Sequence, residues 1–189
     1  MKNAFKITVS AAVMSIAAGM AFADAHAVAN PMVGGAEMFA DKNIIENVVN
    51  SADHTTLVAA VTAAGLVDTL SGTGPFTVFA PTNDAFAKLD AAQLAELLLP
   101  ENQAALAEIL TCHVVAADVS AEALLGLIAD NDGAYDVATV GGCTLTAEYN
   151  NEVVTLTDER GQVATVTVAD VVQSNGVVHV IDTVVLPKE

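Results

Sequence analysis

The chain has 189 residues, 53% of them hydrophobic, and carries 23 acidic residues against six basic ones for a net charge of −17. That charge repels polyanions, which excludes nucleic acid and anionic membrane surfaces as natural targets. The length suits one domain with a single core, and the acidity favours a monomer, or a weak homodimer that forms when salt or divalent cations screen the repulsion.

The N-terminus reads as an export signal. Lys2 and Lys6 give a positive start, residues 7–20 are apolar, and Ala21-Phe22-Ala23 is a small-x-small cleavage site. Residues 1–23 are therefore expected to be removed. The apolar stretch is short of the roughly 20 residues that span a bilayer, and no later segment of that length is free of charge, so membrane insertion is not expected. The product is expected in the periplasm or the medium.

Residues 24–41 hold Pro31, Gly34 and Gly35 with no sustained period and read as an extended N-terminal arm. A single domain is expected over 42–189. Ile44, Ile45, Val48 and Val49, then Leu57, Val58, Val61 and Ala64, recur at helical spacing up to Gly65. Leu66, Val67 and Leu70 add a turn, and the run 76–79 suits a buried strand. Asp90 with Gln93 resembles a capping box ahead of Leu94, Leu97 and Leu98, with Pro100 as the break. Leu106, Ile109 and Leu110 mark another helix, and Ser120 caps a further one through Leu124 and Ile128.

From Tyr135 the period becomes two. Cys143, Leu145 and Ala147 alternate with Thr144, Thr146 and Glu148, and the runs 153–157 and 163–168 are rich in Val and Thr. Ser174-Asn175-Gly176 is a hairpin signal, and the strand predicted over 177–186 pairs with the one before it. Helices first and strands last give an α+β class, with short helices packed on the sheet system.

No catalytic or cofactor constellation emerges. Cys112 and His113 are adjacent, so in an extended segment their side chains point to opposite faces and cannot form a nucleophile–base pair. The four histidines form no Cys/His cluster of zinc-ligand spacing. Asp130-Asn131-Asp132-Gly133 with Asp136 opens like a calcium loop, but Gly133 comes too early and Gly141 stands where a bidentate Glu is needed, so it reads as a solvated turn. Cys112 and Cys143 form either a disulfide, which the exported setting favours, or two buried thiols packed as small apolar groups.

The residues from Gly74 to Phe86, GPFTVFAPTNDAF, resemble the first signature of fasciclin domains, and those from Ser174 to Asp182, SNGVVHVID, resemble the second. Leu110-Thr111-Cys112-His113-Val114-Val115 is similar to the family's central Tyr-His motif, with Cys112 in place of the aromatic residue. The resemblance runs from Asn43 to Pro187. It implies short helices around a β-wedge of two sheets, in an extracellular adhesion module that is not an enzyme.

Thr82, Asn83 and Asp84 precede a predicted helix, where short polar side chains cap free N–H groups, and they are read as structural. Asn175, Gly176 and His179 are read likewise, His179 as a hydrogen-bonded core residue. By resemblance, the Tyr-His region and an Asp-Ile pair before the second signature contact integrins in related animal matrix domains. The matching positions are His113 and Asp170-Val171, which become the candidate partner-binding residues. The expected function is an exported adhesion or interaction module meeting a cell-surface or matrix protein or glycan. The alternative is a periplasmic or secreted binder of a carbohydrate or hydrophobic small ligand, using a pocket between helices and wedge.

Overall fold

The computed structural model describes residues 30–188; the expected export signal lies outside them. Helix α1 (Ile44–Val48) starts on a reciprocal cap, in which Asn43 Oδ1 accepts from the Glu46 N–H and Glu46 Oε2 accepts from the Asn43 N–H, both at 2.9 Å. A single 3-10 turn, Ala52–His54, leads into α2 (Thr55–Ala63), and α3 (Val67–Leu70) follows. These helices, with α4 (Asn83–Ala87), α5 (Ala91–Leu97), the turn Pro100–Asn102 and α6 (Gln103–Thr111), form a helical layer. Asp90 caps α5 by accepting from the Ala92 N–H at 2.8 Å.

Ahead of this layer, the part of the expected arm within the described residues is a small hairpin, β1 (Met32–Val33) and β2 (Ala36–Glu37), whose Val33 and the following Met38 are buried in the core. Sequence reasoning misses it because two-residue strands show no alternation, and Gly34 and Gly35, both with positive φ, supply the turn.

A seven-stranded sheet makes the other half. It comprises β3 (Phe76–Pro81), β4 (Val114–Val115), β5 (Ala134–Ala138), β6 (Thr144–Asn150), β7 (Val153–Thr157), β8 (Val163–Gln173) and β9 (Gly176–Ile181), in spatial order β4-β3-β9-β8-β7-β6-β5. Only β3 and β9 pair in parallel. The long β8 belongs to both limbs of a wedge: its start, Val163 to Thr165, pairs with β7, and from Val166 onward it pairs with β9, with register breaks between Val166 and Val171. Helix α7 (Ala121–Asp130), capped by Ser120 Oγ on the Ala123 N–H at 3.2 Å, packs against β5 and β6.

Two cores result. Val78, Ala80, Val178 and Val180 face the helical layer, and Phe79 and Ile181 face the inside of the wedge with Leu124, Leu145 and Leu156. Strands β3 and β9 are thus buried on both faces, which accounts for their unbroken apolar runs. The strand predicted over 177–186 ends at Ile181, where Asp182 turns its carboxylate back to accept from the Thr165 N–H at 2.8 Å.

Candidate functional site

The polar residues of the first signature join elements. Thr82 caps α4, accepting from the Ala85 N–H at 3.2 Å. Asn83 accepts at Oδ1 from the Thr56 N–H (2.9 Å) and the Thr55 hydroxyl (3.2 Å), and donates through Nδ2 to the Ala52 carbonyl (2.8 Å), tying α4 to the start of α2. Asp84 is exposed in the first turn of α4, where its charge suits the helix N-terminus.

The second signature does the same at the other end of the β3–β9 pair. Asn175 is buried; its Oδ1 accepts from the Ile44 N–H at 3.0 Å, and its Nδ2 donates to the Leu70 and Gly72 carbonyls at 2.8 Å each. Gly176 opens β9 so close to the Phe76 backbone that a Cβ would overlap the Phe76 carbonyl. His179 stacks on Phe79 with ring centroids 5.7 Å apart; its Nε2 donates to the Val119 carbonyl (2.9 Å) and its Nδ1 accepts from the Asp170 N–H (3.2 Å).

The three candidate contact residues part company. His113 is 2% exposed and Val171 1%, so both side chains are packed in the core. The ring of His113 donates through Nδ1 to the Ile109 carbonyl (2.8 Å) and accepts at Nε2 from the Val185 N–H (3.1 Å). Burial lowers its pKa to about 4, against smaller upward pulls from that carbonyl and from Asp158. Asp170 is exposed, at positive φ on the irregular stretch of β8, and its Oδ1 accepts from the Ala121 N–H at 2.7 Å. Beside His113, Cys112 is bridged to Cys143, with Cα atoms 5.3 Å apart.

Three further buried polar residues escape sequence reasoning. Asn47 joins the Phe39 backbone to the side chain of Gln173; a polar residue three positions after Ile44 on the buried face was its signal. Asp158 accepts from the Arg160, Gln162 and Leu186 N–H groups at 2.8–2.9 Å, which the Asp-x-x-Gly turn pattern foreshadows. His54 shares a hydrogen bond with Ser51 Oγ at 2.8 Å, while its buried Nε2 has no hydrogen-bond partner within 3.5 Å among the described residues. Burial is the main cause that lowers its pKa. Nothing in the local pattern marks it.

A cleft of about 350 Å³ opens between the helical layer and the C-terminal tail. Leu89, Leu97, Ile109 and Leu186 give it apolar walls, and Glu96, Asn102, Ala105 and Arg160 also line it. Arg160 Nε donates to the Pro187 carbonyl at 2.7 Å. No group of three or more metal-ligating side chains occurs among the described residues, and no described helix is long and apolar enough to cross a membrane.

The Fasciclin domain family matches residues 52–187. Protein sll1483 of Synechocystis sp. (strain ATCC 27184 / PCC 6803 / Kazusa) is 41% identical over 191 residues, spanning 99% of each chain. Immunogenic protein MPB70 of Mycobacterium bovis is 38% identical over 143 residues, 73% of this chain and 65% of its own. Among solved structures, a domain pair from the insect cell adhesion molecule Fasciclin I superposes with a TM-score of 0.68 at 17% identity, over 77% of this chain and 51% of that one.

Proposed function

The chain belongs to the fasciclin domain family, and from that premise we propose that it is an exported, non-catalytic adhesion or interaction module that docks onto a cell-surface or extracellular-matrix protein or glycan. The observation that carries the reading is the family match across nearly the whole domain. The local geometry agrees with it: Thr82, Asn83, Asn175 and His179 are bonded to backbone, which makes the signatures a scaffold rather than a reacting centre. Of the three candidate contacts, Asp170 alone is exposed and is kept as the proposed point of contact. Cells of the producing organism should attach to a surface coated with the chain, and failure to attach counts against the reading.

A second reading is favoured by the cleft between helices and tail. At about 350 Å³ it falls at the lower end of ligand-pocket sizes and combines apolar walls with a few polar groups. On this reading the chain binds a small hydrophobic compound or carbohydrate. A ligand held there raises the melting temperature of the isolated chain, whereas a surface partner is not needed for that shift.

A further inference from the structure

The polar groups around the cleft are unevenly committed. On its tail side Arg160 is occupied, donating through Nε to the Pro187 carbonyl at 2.7 Å and making a further interaction besides. On its helical side two acceptors stand together. Asn102 Nδ2 donates to the Glu96 main-chain carbonyl at 2.8 Å, while Asn102 Oδ1 and the Glu96 carboxylate have no hydrogen-bond or ionic partner among the described residues. Residues 90–108, which build this side, include Asp90, Glu96, Glu101 and Glu108 and no base. Lys88, just before them, is held by Asp182 Oδ2 (3.2 Å) and the Thr183 hydroxyl (3.1 Å).

We infer that the cleft binds an apolar primary amine, with its hydrocarbon body between Leu89, Leu97, Ile109 and Leu186 and its ammonium at Glu96 and Asn102. This deepens the small-ligand reading and rests on it. An ammonium carries three N–H donors and no acceptor, which suits a carboxylate beside an amide oxygen. Only four bases follow Ala23, against 23 acids, so the field of the whole chain draws cations to its surface. The apolar walls then separate an amine with a hydrocarbon body from a bare cation. Arg160 repels the ammonium from the tail side, which leaves the ligand one orientation, with its head toward the helices and its body toward the tail. An organic acid in the same place meets the like charge of Glu96, while Arg160 is already engaged.

The test is titration calorimetry on the whole purified chain at about 0.15 M salt, where charges more than roughly 8 Å away are screened. It compares octan-1-amine, octan-1-ol and octanoate, which share a hydrocarbon body, with methylamine, which has the charged head alone. Glu96→Gln and Ala105→Trp variants accompany it, with unliganded melting curves as folding controls. Ala105 is exposed on α6, so a Trp there fills the cleft without emptying the core. Octan-1-amine should bind about five-fold more tightly than the alcohol, the upper end for an exposed ion pair, with octanoate weaker than both and methylamine giving no measurable heat. Glu96→Gln should bring amine and alcohol together while leaving the alcohol unchanged, and Ala105→Trp should abolish binding of both. Equal binding of amine and alcohol, tighter binding of octanoate, methylamine binding as well as octan-1-amine, or a preference that survives Glu96→Gln overturns the inference and leaves the small-ligand reading standing. Binding that survives Ala105→Trp in a folded chain, or no binding at all, overturns both.

Discussion

The backbone N–H of Asp170 donates to Nδ1 of His179 across 3.2 Å, and the Asp170 carboxylate accepts from the Ala121 N–H at 2.7 Å. One exposed residue thus links the bend in β8 to the second-signature strand and to the start of α7. Removing its side chain perturbs a helix cap as well as any partner contact. Asp170→Ala should cost about 1 kcal/mol, the ordinary price of a lost cap. Asp170→Asn keeps the acceptor and tolerates positive φ, so its denaturation midpoint should stay near that of the parent. Urea unfolding of the two variants checks this; equal losses would show that the cap contributes nothing.

Asn175 satisfies one N–H and two carbonyls from two separate segments, the start of α1 and the end of α3. Asn175→Ala leaves those buried groups unpaired and should destabilise the chain by roughly 2–4 kcal/mol. Urea unfolding measures the loss, and a value under about 1 kcal/mol would mean that water replaces the side chain at no cost.

His113 and His54 both bind a proton more weakly in the folded chain than at the ordinary value of 6.5, chiefly through burial. The unfolded chain therefore takes up protons that the folded one refuses. Their contribution to stability is complete above about pH 6.5 and is lost as the pH falls toward 4, the folded value for His113. For His113 alone the loss is about 3 kcal/mol. Unfolding free energies at pH 7, 5.5 and 4.5 should fall in that order, and a flat profile would contradict the buried neutral rings.

The Cys112–Cys143 bridge closes a loop with a sequence separation of 31. The loop-entropy account puts its contribution at roughly 3–4 kcal/mol. Thermal unfolding with and without reductant should show a clear loss on reduction, and coincident curves would mean that packing alone holds β6 to the end of α6.

The elements with internal periodicity were legible in the sequence. The alternation of Leu145 and Ala147 marked β6, Ser120 marked the start of α7, and Ser174-Asn175 turns β8 into β9, although Gly176 proves to be the first residue of β9 rather than part of the turn. What the sequence hid were roles set by distant partners. Asp170 reads as a surface acid until Ala121, 49 positions away, is brought beneath it. His113, a contact candidate by resemblance alone, has its ring held by the Val185 N–H, 72 positions on. Such pairs depend on how β8 bends and where the tail returns, which no local window carries. The cleft has the same origin, since α5, α6, the β7–β8 turn and the tail meet only in the folded chain.

The adhesion reading is tested most directly by counting cells of the producing organism that attach to surfaces coated with the chain, its Asp170→Asn variant or an inert protein, with and without calcium. The account predicts attachment above the inert surface, reduced by Asp170→Asn although that variant keeps its cap and its stability. Attachment no greater than on the inert protein under every condition, with the coated chain still folded, would contradict it.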